Sequence, residues 1–384
     1  MDISSIKVLM ISSDRDILSQ GSAVSERMKE YGALVKELHI VLLSDSSHRL
    51  RETQLDKNVW VYPTNSLLKF FRPLNAAGIG KKIVLQKAFV RGRSVISAQD
   101  PFECGWAALK IKEKWRLPLE VQLHTNPFSR NFSGFQNRIR KLLARRVLRS
   151  ADSVRVVSEE LRIQISQLTS ASVGVLPIYI DKNKIVSNKI SFDVHARYGW
   201  RFAILAVARL SPEKDLATAI RALSIVRQTF PDTGLLIVGS GKEERKLRSL
   251  TKKLSLDGYV EFAGWQENLA SFYGTSNLFI QTSFFEGYGM ALVEAALSGL
   301  PVITTPVGIA SELQDSLEAI IVPFGRADLF ASGILDLLEH NQMRESMRFN
   351  LKRAIESKLI SKEEYLEKMK ANWELTAKSV PINK

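Results

Sequence analysis

Cysteine is almost absent from this chain: Cys104 stands alone among 384 residues. Internal disulfides and cysteine-based metal sites are thereby excluded, a usage that fits a reducing compartment. No stretch approaches the roughly 20 consecutive apolar residues of a membrane-spanning helix. Residues 1–11 lack the basic flank and cleavage signature of a secretory leader, so Ile6 to Ile11 read as a first buried strand. Acidic residues are scarce in one half only. Residues 1–190 hold 31 Lys and Arg against 17 Asp and Glu, whereas residues 191–384 hold 23 of each, so the whole net charge of +14 lies in the first half. Such a field draws anionic surfaces. No recognition helix, RNP motif or zinc pattern accompanies it, which argues against nucleic acid.

What is present suits two ordinary domains, given the length and an apolar content of 45%. Short apolar or β-branched runs at 39–43, 59–62, 94–98, 119–123 and 153–157 alternate with helical segments, the first of them from about Ala23 to Lys36. That alternation predicts an α/β fold with parallel sheets. The segment 175–181 closes this series and the polar stretch 181–200 reads as a hinge. A second series opens with the continuous apolar run 202–208.

The second series carries the most specific pattern. The run 277–282 gives way to Phe284-Phe285-Glu286-Gly287-Tyr288-Gly289-Met290 and then to an apolar helix containing Glu294. A strand, a glycine turn and a helix start present backbone N–H groups and a positive dipole end to an anion, so Gly287, Tyr288, Gly289 and Met290 read as a phosphate or sugar cradle. Glu294 sits among apolar neighbours, where an ionised carboxylate is costly unless donors such as ribose hydroxyls meet it. Earlier, Arg209-Leu210-Ser211-Pro212-Glu213-Lys214 follows a strand with two cations. Gly239-Ser240-Gly241-Lys242-Glu243 and Gly264 follow two more strands.

These motifs resemble the E-x7-E, R-x4-K and G-x-G-x-E signatures of GT-B fold retaining glycosyltransferases, family 4 (glycosyl transferases group 1). The resemblance covers nearly the whole chain, most strongly 203–323. Departures are Ala208, Asp215 and Ile309, where glycines are common, and a single Gly21 in the first loop where relatives carry a pair. The resemblance implies GT-B architecture: two Rossmann-like domains with parallel sheets facing across a cleft, here 1–181 for the acceptor and 182–360 for the nucleotide sugar. Residues 361–384 would form a helix crossing back to the first domain. Its start, Ser361-Lys362-Glu363-Glu364, reads as a capping box, and Tyr365, Met369 and Trp373 share a packing stripe.

The implied reaction is transfer of a hexosyl group, with retention, from a nucleotide-diphosphate sugar (a UDP-sugar or GDP-mannose) to a glycan or lipid-linked acceptor. Cell-envelope polysaccharide or glycolipid assembly is the implied setting. Neither a cofactor nor a metal is expected. Arg209 and Lys214 would meet the diphosphate, Glu286 the sugar, Glu294 the ribose, and His124, after a strand and near Gln99-Asp100-Pro101-Phe102, the sugar from the opposite domain. Asp14-Arg15-Asp16 could suggest a metal, but it sits in the first loop without further ligands, and a plain loop is the simpler account. Gly21 reads equally as a phosphate contact or a turn glycine.

The basic helix at 137–149 groups Ile139, Leu142, Leu143, Arg146 and Val147 on one face, with Arg138, Arg145 and Arg149 on another. It could dock on anionic membrane or simply cover the sheet. Phe70-Phe71 and the aromatics of 128–135 could likewise be exposed contacts or core. The expected location is cytoplasmic, possibly peripheral at the inner membrane face. Two rival readings are a sugar-nucleotide epimerase on the same scaffold and a non-catalytic partner subunit.

Overall fold

The computed structural model describes residues 4–128, 135–187 and 189–380. The chain forms two compact units, Met1–Ile178 with Ile360–Lys384, and Tyr179–Leu359. In the first, the described strands are β1 (Ser4–Ser12), β2 (Val35–Leu42), β3 (Thr53–Asp56), β4 (Val59–Pro63), β5 (Ser94–Ala98), β6 (Leu119–Leu123), β7 (Ser153–Val156) and β8 (Ser172–Val175). They order as β3-β4-β2-β1-β5-β6-β7-β8. Central strands are apolar on both faces, with Val8, Leu9, Met10 and Ile11 fully buried, because helices cover both sides.

Two local expectations are corrected. The sheet is not wholly parallel, since β3 runs antiparallel to β4 as an edge strand. The first helix ends at Ala33 rather than Lys36, because Val35 to Glu37 already pair with β1. Gly32, in its last turn, lies where an added Cβ would meet Val59 Cγ2 at 2.2 Å, so the helix packs directly on β4.

The second unit contains β9 (Phe202–Val207), β10 (Thr233–Val238), β11 (Val260–Gly264), β12 (Leu278–Gln281), β13 (Val302–Thr304) and β14 (Ile320–Ile321). The order is β11-β10-β9-β12-β13-β14, every pair parallel. In sequence terms this is the 3-2-1-4-5-6 order of dinucleotide-binding sheets, in which strand order reverses between the first and fourth strands. The crevice beyond the carboxyl ends of β9 and β12 is therefore where a ligand site is expected. Helices Leu216–Val226 and Ala327–Glu339 bury Ile220, Leu223, Phe330 and Ile334 on the sheet to form the core.

The last helix, Lys362–Lys378, packs on the first unit's sheet. Ser361 caps it, its hydroxyl accepting from Glu364 N at 3.0 Å. Tyr365, Met369 and Trp373 are buried. Beneath them lies Glu120 of β6, wholly buried, whose Oε2 accepts from Ser97 Oγ at 2.6 Å and Trp373 Nε1 at 2.9 Å. Its Oε1 accepts from Asn372 Nδ2 at 2.8 Å and lies 3.4 Å from Arg155 Nε. A buried carboxylate is tolerated only when so surrounded. Trp373→Ala removes a large buried ring and one donor together. It should destabilise the first unit by about 3–5 kcal/mol, read as an earlier unfolding transition in denaturant with the second unit's transition unmoved.

Candidate active site

The loop after β9 and the loop after β12 converge at the strand-order reversal, and hydrogen bonds to backbone carbonyls hold them together. Phe284 N donates to Glu213 O at 2.8 Å, and the Thr282 hydroxyl donates to the carbonyls of Lys214 and Asp215 at 3.0 and 2.9 Å. Lys214 and Glu286, 72 positions apart, are thereby brought face to face. Lys214 Nζ lies 2.7 Å from both carboxylate oxygens, with each side chain 14% exposed. The Ser283 hydroxyl donates to Glu286 Oε1 at 2.7 Å. An ammonium has three donors; two are committed to Glu286, which leaves one for a ligand above the pair.

Arg209 differs. Its side chain is 78% exposed and its ion pair to Glu213, at 3.2 Å, is a surface contact of small energetic weight. It can leave that carboxylate for an anion at little cost. Asp215 does not compete for Lys214. Its Oδ2 accepts from Thr218 Oγ1 at 2.6 Å, and its φ of +43° lies in the left-handed region, which glycine adopts freely and Asp is among the few other residues to tolerate.

Gly289, with φ of +96°, caps the helix Met290–Leu297. The first N–H groups of that helix have no carbonyl one turn earlier to accept them and point off its end. The turn rests on the 308–309 segment: Ile309 N donates to Tyr288 O at 2.8 Å, and a Cβ on Gly308 would lie 2.5 Å from that same oxygen. Tyr288 itself turns inward and is 95% buried, so what it can present to a ligand is backbone. Opposite, the loops after β9 and β10 interlock. Gly239 has φ of +137°, and a Cβ there would overlap Ala208 O at 1.9 Å; one on Gly241 would sit 2.4 Å from Leu210 O. Gly239 N donates to Gly264 O at 2.8 Å, joining the ends of β10 and β11.

Glu294 lies one turn into the helix. Tyr273 supplies a donor that sequence reasoning missed, its hydroxyl reaching Glu294 Oε2 at 3.0 Å. Burial raises the Glu294 pKa above the ordinary carboxylate range, only partly offset by that bond. Ser283 and Glu213 were missed for the same reason as Tyr273: each acts on a motif residue through a side-chain contact that spacing alone does not encode.

Gly21 and His124 belong to the first unit. Gly21, with φ of +73°, precedes the capping residue Ser22 after β1. His124 follows β6, exposed to solvent. Crowding by surrounding protein, then the Arg155 and Arg27 cations, push its pKa down to about 4, so the ring is neutral at physiological pH. Its solvent exposure softens the first cause but leaves the sign, because the cations act the same way. Asp14 caps a short helical turn through Asp16 N at 3.1 Å. Among the described residues no group of three or more His, Cys, Asp or Glu is arranged to hold a metal, and no helix is long and apolar enough to cross a membrane.

The basic helix Phe135–Ser150 turns Ala144, Val147 and Leu148 inward. This corrects the expected face: Ile139 and Leu142 are 46% and 66% exposed, and Arg146 faces out to pair with Glu113. Phe70 and Phe71 are exposed rather than core. Of the aromatics at 128–135, those within 129–134 lie outside the described residues.

This architecture and motif layout are those of GT-B glycosyltransferases. The family "Glycosyl transferases group 1" matches residues 187–354 and "Glycosyl transferase 4-like domain" matches 21–178; together they take in most of the sequence, and the chain belongs to the group 1 glycosyl transferases. Among curated relatives, the lipopolysaccharide core biosynthesis glycosyltransferase LpsE of Rhizobium meliloti is 28% identical over 37% of this chain and 41% of its own. The poly(glycerol-phosphate) alpha-glucosyltransferase of Bacillus subtilis is 28% identical over 36% and 21%. The chain thus spans less than half the length of these relatives. Sucrose-phosphate synthase of Thermosynechococcus elongatus superimposes with a TM-score of 0.77 at 17% identity, covering 96% of this chain and 98% of that one. Anabaena HepE in complex with UDP and glucose gives 0.73 at 19%, covering 95% and 98%.

Two outcomes follow. The carboxylate of Glu294 is less costly protonated than ionised, so its contribution to stability is greatest at acid pH and is lost as pH rises from the unfolded carboxylate range through its raised folded pKa. Glu294→Gln should therefore unfold at a higher temperature than wild type at pH 8, with the difference shrinking towards pH 4. His124, by contrast, should titrate by NMR below the range in which an unperturbed histidine changes charge.

Proposed function

We propose that the chain transfers a hexosyl group, with retention, from a nucleotide-diphosphate sugar to a glycan or lipid-linked acceptor, without a metal. The observation that carries the reading is the Lys214–Glu286 pair beside the exposed Arg209 and the capped helix start at Gly289. As the bond from the anomeric carbon to the diphosphate lengthens, negative charge grows on the departing phosphate. Arg209 and the free donor of Lys214 meet that charge, and the N–H groups around Met290 add a fixed dipole. Glu286, anchored by Lys214 and Ser283, holds sugar hydroxyls. Glu294 takes the ribose diol. Gly239, Gly241 and Gly264 let backbone border the nucleotide. On the first unit, the neutral ring of His124 offers both a donor and an acceptor to hydroxyls.

No carboxylate has the role of a nucleophile in this reading. The incoming hydroxyl approaches the face the diphosphate leaves, its proton passing to the leaving phosphate. The acceptor reading rests on charge and kinship. Residues 1–190 carry the whole positive excess, and two relatives are named for lipopolysaccharide core and for poly(glycerol-phosphate). A polyanionic or lipid-linked acceptor in envelope glycan assembly, at the cytoplasmic face of a membrane, fits both.

The test is a thermal-shift and hydrolysis panel of UDP-, GDP- and ADP-sugars with EDTA present. One nucleotide sugar should stabilise the wild type and turn over. Glu286→Ala and Arg209→Ala should each lose about 10²- to 10³-fold in kcat, and the exposed Arg209→Ala should unfold at the wild-type temperature without donor. If no nucleotide sugar stabilises the protein, the transferase reading falls.

A further inference from the structure

The loop after β4 and the first turn of the helix Arg72–Gln86 carry an apolar surface that glycosyl transfer does not use. Leu67 is 86% exposed, Leu68 61%, Phe70 80%, Phe71 43% and Leu74 47%. Single exposed apolar residues are ordinary, whereas five within eight positions form a patch of the kind that marks an interaction surface.

The side chains are not displayed by a loose loop. Ser66 N donates to Ser44 O at 2.9 Å, Asn65 Nδ2 to Leu50 O at 2.6 Å, and Phe71 N to Leu68 O at 3.0 Å. Asn75 Nδ2 reaches Ser66 Oγ at 2.9 Å, and Arg72 Nε donates to Asp45 Oδ1 at 2.6 Å. The backbone is fixed at both ends while the apolar groups project from it, with the Phe70 and Phe71 rings edge-on at 5.6 Å.

Charge identifies what the patch meets. From residue 57 to residue 99 there are eight Lys or Arg and no Asp or Glu. On the helix Arg72–Gln86, exposed Leu74, Gly78, Lys82 and Leu85 recur at three- and four-residue spacing, so apolar and cationic side chains share one outward stripe. Protein interfaces are depleted in lysine and mix charge signs at their rim. Arg72 is held by Asp45, but protruding Leu and Phe with Lys69, Lys81 and Lys82 close by suit an anionic bilayer, where apolar tips enter the headgroup layer and lysines meet phosphates.

We infer that segment 67–74 is a membrane-dipping element that seats the first unit on an anionic lipid surface. Leu67, Leu68, Phe70 and Phe71 enter the bilayer, and Lys69, Lys81 and Lys82 lie at headgroup level. The attachment needs no donor sugar, so it stands or falls separately from the transferase reading.

Flotation of the full chain with phosphatidylcholine vesicles, with and without phosphatidylglycerol, tests it. Wild type should float with the phosphatidylglycerol vesicles and release in high salt. Leu68→Gln with Phe70→Gln should lower the partition coefficient by about tenfold or more. Lys81→Glu with Lys82→Glu should abolish the preference for phosphatidylglycerol, and circular dichroism of both variants should match wild type. Three results would overturn the inference: no flotation with phosphatidylglycerol, flotation that neither variant weakens, or a concentration-dependent dimer that Leu68→Gln with Phe70→Gln dissolves.

Discussion

The reversal of strand order between β9 and β12 is the constraint on which the candidate site depends. Loops leaving adjacent strands in opposite lateral directions open a crevice that no crossover helix fills. Into it the chain delivers a lysine from one loop and a glutamate from the other. The contact is enforced by short-range bonds at the loop bases, since the Thr282 hydroxyl and the Phe284 N–H bind the carbonyls of 213–215. A pair of charges positioned this way pays little further ordering cost when a ligand arrives, which is the condition for electrostatic stabilisation of a developing charge.

Much of this was legible in the sequence, for reasons that can be named. Apolar runs of four to seven residues between helical segments, as at 202–208 and 235–238, announce buried parallel strands. Glycines just beyond them announce loops that approach one another. What spacing could not reveal is which polar side chain answers which. Tyr273 to Glu294 and Ser283 to Glu286 are contacts of three-dimensional neighbours. The outward turn of Ile139 and Leu142 was illegible for a different reason: helical periodicity defines faces, but only the neighbouring helix and sheet decide which one is covered. The antiparallel β3 carries too few apolar residues to register as a strand.

The two units handle buried charge differently. In the second, Lys214 and Glu286 keep partial access to solvent and Lys214 retains a spare donor. In the first, Glu120 is enclosed, with Ser97, Asn372, Trp373 and Arg155 around it. A sealed ionic cluster adds little net stability compared with apolar packing, but it is unforgiving of a missing partner. Its demand is for a specific helix in a specific register.

That demand has a consequence for the order in which the molecule is built. Glu120 is made early in synthesis, while Asn372 and Trp373 come more than 250 residues later, after the whole second unit. On the ribosome the second unit can close its sheet and core once Leu359 has emerged. The first unit must wait with its central carboxylate met by Ser97 and Arg155 alone until the helix Lys362–Lys378 follows. The first unit is thus finished after the second, and a nascent protein interrupted before the helix Lys362–Lys378 would hold a completed second sheet tethered to an unfinished first one.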